Sequence, residues 1–387
     1  MRTTLAVLML FLLGCSSAPE REPIPHRAWQ AQPTGIQYSR PQLISLWQRR
    51  IQGMLDRQQL PLIDMESSIQ REQLQDYLDE SLPVMDELGV ALIAFDGYQA
   101  KKTSHSPRGY RPSYYTNQLV NAYPERFIPT TNGGTNKNWL QEKDSFVTYL
   151  QEAAHSRQYR VLGEVEFRHY MSYQQCQQQR YDRDVDISLL SDNGRAVFAL
   201  SEATGLPVLI HLEPEDRPRA ELETILQDYP HARVVVAHFG QIRHPEREQG
   251  FTPDWVRHML SSYPNLYWDL SVGGPGRRYP CNHDVLDTVI WKHTLGGQSR
   301  ELEPKWQAIL SEFSGHFVAG TDYGGGRRPL PEYLPGRVAN LRLILSQLPT
   351  QARHDIGYRN AWRLLTGQAW PRPLNRAGIN PPSVAGR

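Results

Sequence analysis

The chain has 387 residues, and its 42 basic and 41 acidic residues leave a formal net charge of +1. This near balance does not suit a bulk nucleic-acid binder, so no nucleic-acid partner is expected. Beyond an apolar N-terminal segment, about 350 residues remain, which is large for one domain but normal for an elaborated α/β barrel.

The N-terminus predicts export from the cytoplasm. The apolar run Leu5–Leu13 is too short to span a bilayer as a mature helix and suits a signal-peptide core. It ends in "LLGC", which resembles the cleavage box of bacterial lipoproteins and implies that Cys15 is lipidated. Ser16 then favours the outer membrane, with the protein facing the periplasm. The alternative is a plain secretory signal in which Cys15 is incidental.

Composition divides the chain into four segments. We interpret residues 1–14 as a lipoprotein signal peptide, 15–40 as a tether, 41–370 as the folded domain and 371–387 as a Pro-rich tail. Cys176 and Cys281 form an even pair in an oxidising compartment and could be joined in one disulfide. Two buried free thiols are the alternative.

Short apolar runs alternate with helical patterns along the whole domain. The runs cover residues 60–66, 89–95, 126–131, 160–167, 206–212, 232–239, 265–271 and 315–322. The helical patterns between them include residues 73–88, 144–156, 193–204 and 219–228. Repeated βα units of this kind predict a parallel sheet, and eight strands predict a closed (β/α)₈ barrel, of the TIM type, as a single domain.

Polar side chains follow the strands at the end where such barrels carry their chemistry. They are Glu66, Glu164, Glu166, His211, His238, Asp269 and Asp322. Burial of an unpaired carboxylate or imidazole costs several kcal/mol, roughly, so packing alone does not explain so many of them. We therefore expect these residues to form one site.

The later motifs resemble the amidohydrolase superfamily, in particular its amidohydrolase-2 branch, which includes carboxymuconate-semialdehyde decarboxylases and related hydrolases. The likeness covers about residues 58–367. Its motifs are "ALSEATGLPVLIHLE" at strand five, "HARVVVAHFGQ" at strand six, "NLYWDLS" at strand seven, "FVAGTDYG" at strand eight, and "IGYRNAWRLL" with Asn360 in the terminal helix. The resemblance implies a metal site in which His211 is a ligand, His238 takes the place of a second His, and Asp322 is both ligand and proton shuttle.

Strand one departs from that family. Members usually have Asp-x-His-x-His there, whereas this chain has Asp64-Met65-Glu66-Ser67-Ser68. A carboxylate can still bind a divalent ion such as Zn or Mn. We expect Glu66, His211 and Asp322 to hold one ion, with His238 as a fourth ligand or as the group that polarises the substrate.

The loops after the strands suggest how further residues are used. Glu166 could compensate for the missing histidines, or it could pair with an arginine at the rim. Arg168, Arg277 and Arg327 could bind an anionic small-molecule substrate, although solvated arginines paired with local acids are the commoner outcome.

Two classes of function remain open at this point. The first is a lipid-anchored metal-dependent hydrolase of an amide, ester or lactone bond, with a decarboxylase as its nearest neighbour. The second is a non-catalytic barrel that binds a ligand or an envelope protein, which the loss of both strand-one histidines favours. Retention of His211, His238 and Asp322 favours the enzyme.

Overall fold

A computed structural model describes residues 35–70, 82–98, 114–131, 133, 145–243, 250–279, 281, 285–324 and 330–371. The expected signal peptide, the lipidated Cys15 and most of the tether lie outside the described residues. So do Arg327 and almost all of the expected Pro-rich tail.

Eight parallel strands form the centre of the structure, and each coincides with one of the predicted runs. They are β1 Leu62–Asp64, β2 Val90–Ala94, β3 Phe127–Ile128, β4 Leu162–His169, β5 Pro207–Leu212, β6 Arg233–Val236, β7 Leu266–Asp269 and β8 Phe317–Val318. The first three pair in chain order, and the last five do likewise.

A few hydrogen bonds join the two sheets at each gap. Thr130 and Val161 form a parallel bridge between the ends of β3 and β4. On the other side, the Met65 amide donates to the Ala319 carbonyl at 2.9 Å, which links the chain after β1 to the chain after β8. The fold is therefore of the expected α/β-barrel type, with eight parallel strands in two adjoining sheets that are surrounded by helices.

Helices follow the strands around the ring. They are α1 Arg40–Asp56, α2 Leu82–Leu88, α3 Tyr114–Ala122, α4 Ser145–His155, α5 Tyr173–Gln177, α6 Asp192–Thr204, α7 Asp216–Asp228, α8 Pro253–Ser262, α9 Pro304–Glu312, α10 Leu330–Ser346, α11 Thr350–His354 and α12 Asn360–Thr366. Local sequence fixes several ends: the Ser191 side chain caps α6, and Gly205 at φ 68° ends it.

The core lies between the strands and the helices and contains a cluster of aromatic side chains. The Phe239 ring lies 5.7 Å from Trp268, 5.6 Å from Trp306 and 4.9 Å from Phe317, measured between ring centroids. These contacts hold β7, β8 and α9 against the chain after β6.

Short strands that the sequence patterns do not predict extend the barrel at its loops. Val185–Asp186 pairs antiparallel with β4, Arg278–Tyr279 pairs with Val285–Leu286, and Trp291–Thr294 forms a hairpin with Gly297–Leu302. Ser67–Gln70 lies between Asp96–Tyr98 and Tyr323–Gly324 in a small parallel sheet. All of these lie beyond the carboxyl ends of barrel strands.

Cys176 and Cys281 are bonded to each other, with their Cα atoms 5.9 Å apart. The structure therefore contains the disulfide and not the two free thiols. It connects the loop after β4 to the loop after β7. No helix in the described part of the chain is both long enough and apolar enough to cross a bilayer.

Candidate active site

Asp64 is buried at the end of β1 and works as a structural group. Its carboxylate accepts from the Thr321 amide at 2.9 Å, from the Thr321 hydroxyl at 2.5 Å and from the Glu66 amide at 3.2 Å. Burial raises its pKa to about 7, although these hydrogen bonds oppose the shift. Asp64 thus ties β1 to the chain after β8 and holds the backbone of Glu66, two residues further on.

Glu66 is 3% exposed, and its Oε2 atom has no hydrogen-bond partner among the described residues. Burial raises the pKa of this carboxyl well above its usual value, and the charges of Asp322, Glu164 and Asp269 raise it further. A buried carboxylate among other carboxylates is an arrangement that a cation would stabilise.

Asp269, at the end of β7, is completely buried. Its Oδ1 atom accepts from the His238 and Ser271 amides, both at 2.9 Å. Its Oδ2 atom is buried and has no donor within the described structure. Burial raises the pKa of Asp269 to about 6. One oxygen therefore organises the loop backbone, while the other is left for a ligand.

His238 follows β6 and presents one ring nitrogen to the cluster. Its Nδ1 lies 2.9 Å from the Ser271 carbonyl oxygen. A carbonyl can only accept, so Nδ1 carries the proton and Nε2 keeps a lone pair when the ring is neutral. Burial and the neighbouring His211 hold the pKa of His238 well below its usual value. This tautomer suits His238 to ligation, and its Nε2 has no proton to donate to a substrate.

His211, at the end of β5, has the opposite environment. Its Nδ1 lies 2.9 Å from Glu164 Oε1, and its Nε2 lies 3.7 Å from Glu213 Oε1. Burial alone would lower its pKa, but the contacts with Glu164 and Glu213 outweigh burial and raise the pKa to about 9. The rings of His211 and His238 are 4.8 Å apart between centroids, and their pKa values are shifted in opposite directions.

Two sets of ligand atoms converge among the described residues. Glu66, His238 and Asp269 form one set, and Glu164, His211 and His238 form the other; within each set the atoms lie within 4.8 Å of one another. The predicted trio of Glu66, His211 and Asp322 is not one of these sets. The physical reason is that His211 turns towards Glu164, while Arg337 binds the Asp322 carboxylate.

Asp322 lies at the edge of the cluster. Its amide donates to the Glu66 carbonyl at 3.0 Å, and its side chain is 20% exposed. The Asp322 charge contributes to the raised pKa of Glu66, so the two carboxylates are neighbours. The two roles predicted for Asp322, ligand and proton shuttle, stay predictions.

Two predictions for the chain around β4 are corrected. Glu166 forms a buried ion pair with Arg183, including an Arg183 Nη1 to Glu166 Oε2 bond of 3.0 Å, so it does not replace the missing histidines. Arg168 is also buried and forms ion pairs with Asp184 at 2.7 Å and with Glu215 at 2.9 Å. Arg168 is therefore paired with local acids, which is the alternative that the sequence left open.

Arg277 keeps the position expected of a rim residue. Its side chain is 42% exposed, and its Nε lies 3.5 Å from Asp287 Oδ2. Burial lowers its pKa; Asp287 opposes this shift, and the nearby charge of Arg337 adds to it. Arg277 and Arg337 thus place positive charge close to the carboxylates of the mouth.

Sequence patterns missed residues that support the site from behind. Glu213 lies between His211 and the fully buried Arg243, whose Nη1 is 3.5 Å from Glu213 Oε1. His169 packs against His211, with ring centroids 4.5 Å apart. Glu213 comes two residues after His211, and His169 ends β4, so position at a strand end was the signal that could have found them.

The donor set fits a divalent cation. Two buried carboxylate oxygens, Glu66 Oε2 and Asp269 Oδ2, have no hydrogen-bond donor among the described residues, and His238 Nε2 offers a lone pair beside them. Carboxylate oxygens with imidazole nitrogen suit Zn²⁺ or Mn²⁺. Glu66 would thus be a ligand in place of the usual histidines.

Comparison with known proteins agrees with this chemistry. The sequence profile of the family described as amidohydrolase matches residues 140–366, more than half of the chain. The chain therefore belongs to the amidohydrolase family, which confirms the resemblance seen in its motifs. No curated protein matches it.

Several solved structures have a related fold at low identity. A protein from Staphylococcus aureus described as an amidohydrolase is 14% identical, with 79% of this chain and 99% of that chain covered and a TM-score of 0.47. The 2,6-dihydroxybenzoate decarboxylase from Rhizobium is 12% identical, with 79% of this chain and 98% of that chain covered and a TM-score of 0.45. Dihydroorotase from Campylobacter jejuni is 12% identical, with 79% of this chain and 82% of that chain covered and a TM-score of 0.46. At this level of likeness, the activities named for those proteins are not transferred to the chain.

Proposed function

We propose that the chain is a metal-dependent hydrolase that opens an amide, ester or lactone bond in a small molecule with an anionic group. The observation that carries the proposal is the cluster of Glu66, His238 and Asp269, with its two buried carboxylate oxygens that lack a donor in the described structure. Such groups are costly to bury unless they bind something.

The cluster residues hold and orient a divalent cation in this proposal. When bound, the cation supplies Lewis acidity towards a carbonyl oxygen and a water molecule. Glu66 and Asp269 neutralise its charge, and the Ser271 carbonyl fixes the tautomer that directs the His238 lone pair to it. Glu164 keeps the neighbouring His211 ring in place through its 2.9 Å contact.

Asp322 moves the proton in the proposed reaction. It accepts a proton from the attacking water and returns it to the leaving nitrogen or oxygen, as a general base and then a general acid. Arg337 holds the Asp322 carboxylate in the required position, and partial exposure at the mouth gives substrate access to it. Arg277, also exposed at the rim, binds the anionic group of the substrate.

Metal content and turnover together test this function. We expect purified protein to retain about one divalent ion per chain and to hydrolyse members of a panel of carboxylated lactones, esters and amides. A chelator should abolish hydrolysis, and added Zn²⁺ or Mn²⁺ should restore it. Release of carbon dioxide in place of hydrolysis would assign a decarboxylase. A chain that neither retains divalent ions nor turns over any substrate would be a binding protein, and the proposal would be wrong.

We also propose that Cys15 is lipidated and anchors the protein to the periplasmic side of the outer membrane, on the strength of the "LLGC" box and Ser16. Stable attachment needs more than one acyl chain, as a lipidated N-terminal cysteine provides. Replacement Cys15→Ala should leave an unprocessed or a soluble form, detected by intact mass and membrane fractionation. An unchanged mass and unchanged membrane fraction would contradict the anchor.

A further inference from the structure

A second cleft lies at the amino-terminal end of the barrel strands, opposite the candidate active site. It has a volume of about 860 Å³ and lies between α4, α6 and the residues that precede β4 and β5. Three arginines and several alanines line it, among them Arg40, Arg157, Arg160, Ala154, Ala196 and Ala199. The wall is therefore positively charged, and the small alanine side chains leave space in front of it.

Arg160 is the central residue of this arginine cleft. It is 4% exposed, and its Nε atom is buried without a hydrogen-bond partner in the described structure. One terminal nitrogen, Nη2, donates to the Arg157 carbonyl. Burial lowers the pKa of Arg160 to about 10, and the charge of Arg40 contributes to the shift. Arg160 is thus a buried cation next to a second cation.

The three cleft arginines, of which Arg160 is buried while Arg40 and Arg157 are exposed, differ from the buried arginines Arg168 and Arg183 in what they contact. Arg168 and Arg183 each have a carboxylate within 3 Å. Within the described part of the chain, no carboxylate forms an ion pair with Arg40, Arg157 or Arg160, and Arg40 donates instead to the Thr366 carbonyl at 2.8 Å. A buried guanidinium without a counter-charge destabilises the fold unless an anion binds it.

We propose that the arginine cleft binds a phosphate group, presented by a soluble phosphate or by an anionic phospholipid headgroup. Guanidinium groups present paired N–H donors whose spacing matches two oxygens of a phosphate. The cleft has room for such a group. No aspartate or glutamate is among the described residues that line it, so the charge of the arginines remains available to a bound anion.

The path of the chain brings a membrane surface within reach of the cleft. The Ile36 amide donates to the Gln158 side chain at 3.1 Å, so the N-terminal segment joins the barrel beside Arg157. The twenty residues from Cys15 to Thr34 span at most about 70 Å when fully extended. If Cys15 is lipidated, as proposed above, the cleft can meet headgroups while the active-site mouth faces away. The phosphate site itself does not depend on that anchor.

Binding by the purified full-length protein in a non-ionic detergent tests the proposal. Isothermal titration would use inorganic phosphate, short-chain phosphatidylglycerol and short-chain phosphatidylcholine as separate probes. We expect saturable binding of phosphate, of phosphatidylglycerol or of both, weakened at least tenfold by Arg160→Gln and by Arg157→Gln. Arg157 is exposed, so the second variant provides the test if the first one fails to fold.

Arg195→Gln is the matched control, because Arg195 lies on α6, a helix that lines the cleft, but pairs with Asp228 at 2.7 Å. This variant should bind as the wild type does. Binding of phosphatidylglycerol alone assigns a lipid headgroup, and binding of inorganic phosphate assigns a soluble source or the phosphate group in general. No binding of any probe, equal binding of both phospholipids, or binding that both cleft variants leave unchanged would overturn the proposal.

Discussion

Two residues of the site, His238 and Asp322, have backbone conformations that non-glycine residues rarely adopt, with φ of 60° and 47°. Each such conformation costs about 1–3 kcal/mol and persists only where neighbouring contacts impose it. The His238 amide donates to Asp269, and the Asp322 amide donates to the Glu66 carbonyl. These two bonds turn the chain sharply after β6 and β8, so both side chains enter the mouth.

Replacement Glu66→Gln tests at the residue scale whether the strand-one carboxylate is a ligand. The change removes one negative charge and one strong oxygen ligand but keeps the side-chain volume. We expect at least a tenfold loss of retained divalent ion, measured by elemental analysis. The metal-free variant should be no less stable than the metal-free wild type, because Glu66 lies among Asp322, Glu164 and Asp269.

Glu87→Gln, an exposed change of the same kind, is the control and should leave the metal content unchanged. Equal metal content in the Glu66 and Glu87 variants would show that Glu66 is not a ligand. If Glu66→His retains as much divalent ion as the wild type or more, this result would support Glu66 as a ligand.

The elements of the barrel could be predicted because their signals are local, whereas the added elements could not. Residues 206–212 and 232–239 are apolar on both faces, as strands covered by helices are. The first run contains β5, and the second contains β6. The hairpin Trp291–Thr294 and Gly297–Leu302 is mostly exposed and polar. Its one local signal is Gly296 in the two-residue turn, followed by Gly297 at the start of the second strand.

The candidate site shows the same division between local and non-local information. Position at a strand end identified Glu66, His211 and His238 as site residues. It could not show which partner each one has, because Arg337 reaches Asp322 from α10 and Arg183 reaches Glu166 from a loop. Pairing of this kind depends on where loops fold back, which periodicity does not encode.

The Arg183–Glu166 pair gives a prediction at the element scale. Arg183→Met removes the cation of a buried pair, so we expect destabilisation of about 3–5 kcal/mol, measured by urea unfolding. The double change Arg183→Met with Glu166→Leu should recover most of that loss, because it removes the other charge as well. Metal content should stay at the wild-type level in the double variant. A loss of metal there would restore Glu166 as a ligand.

The disulfide gives a second prediction at the same scale. Cys176 and Cys281 are 105 residues apart. Their bond lowers the conformational entropy of the unfolded chain, which stabilises the folded protein by up to about 4.7 kcal/mol. The Cys176→Ser, Cys281→Ser variant should unfold at a lower denaturant concentration, with its metal content preserved. An unchanged unfolding midpoint would show that the bond does not stabilise the domain.

At the scale of the whole molecule, the two ends of the barrel perform different tasks in our proposals. The carboxyl end of the strands gathers carboxylates for a cation, and the amino end carries the arginine cleft for an anion. Since the net charge is only +1, this separation is a matter of placement and not of composition. If both proposals hold, the chemistry lies at one end of the barrel and phosphate binding at the other.

Asp64 joins the first strand to the chain after the last one, and we predict that this link stabilises the barrel. Asp64→Ala would remove the acceptor of three hydrogen bonds and leave the buried Thr321 and Glu66 amides without it, so we expect a loss of about 2–4 kcal/mol in the free energy of unfolding. Asp64→Asn is the matched control: its oxygen can still accept from both amides, and the Thr321 hydroxyl can rotate to accept from the new NH₂ group. Urea unfolding should therefore separate a weak Ala variant from a near-native Asn variant. If both variants unfold at the wild-type midpoint, these bonds do not stabilise the barrel; if both are equally weak, the negative charge and not the hydrogen bonding of Asp64 is what this link requires.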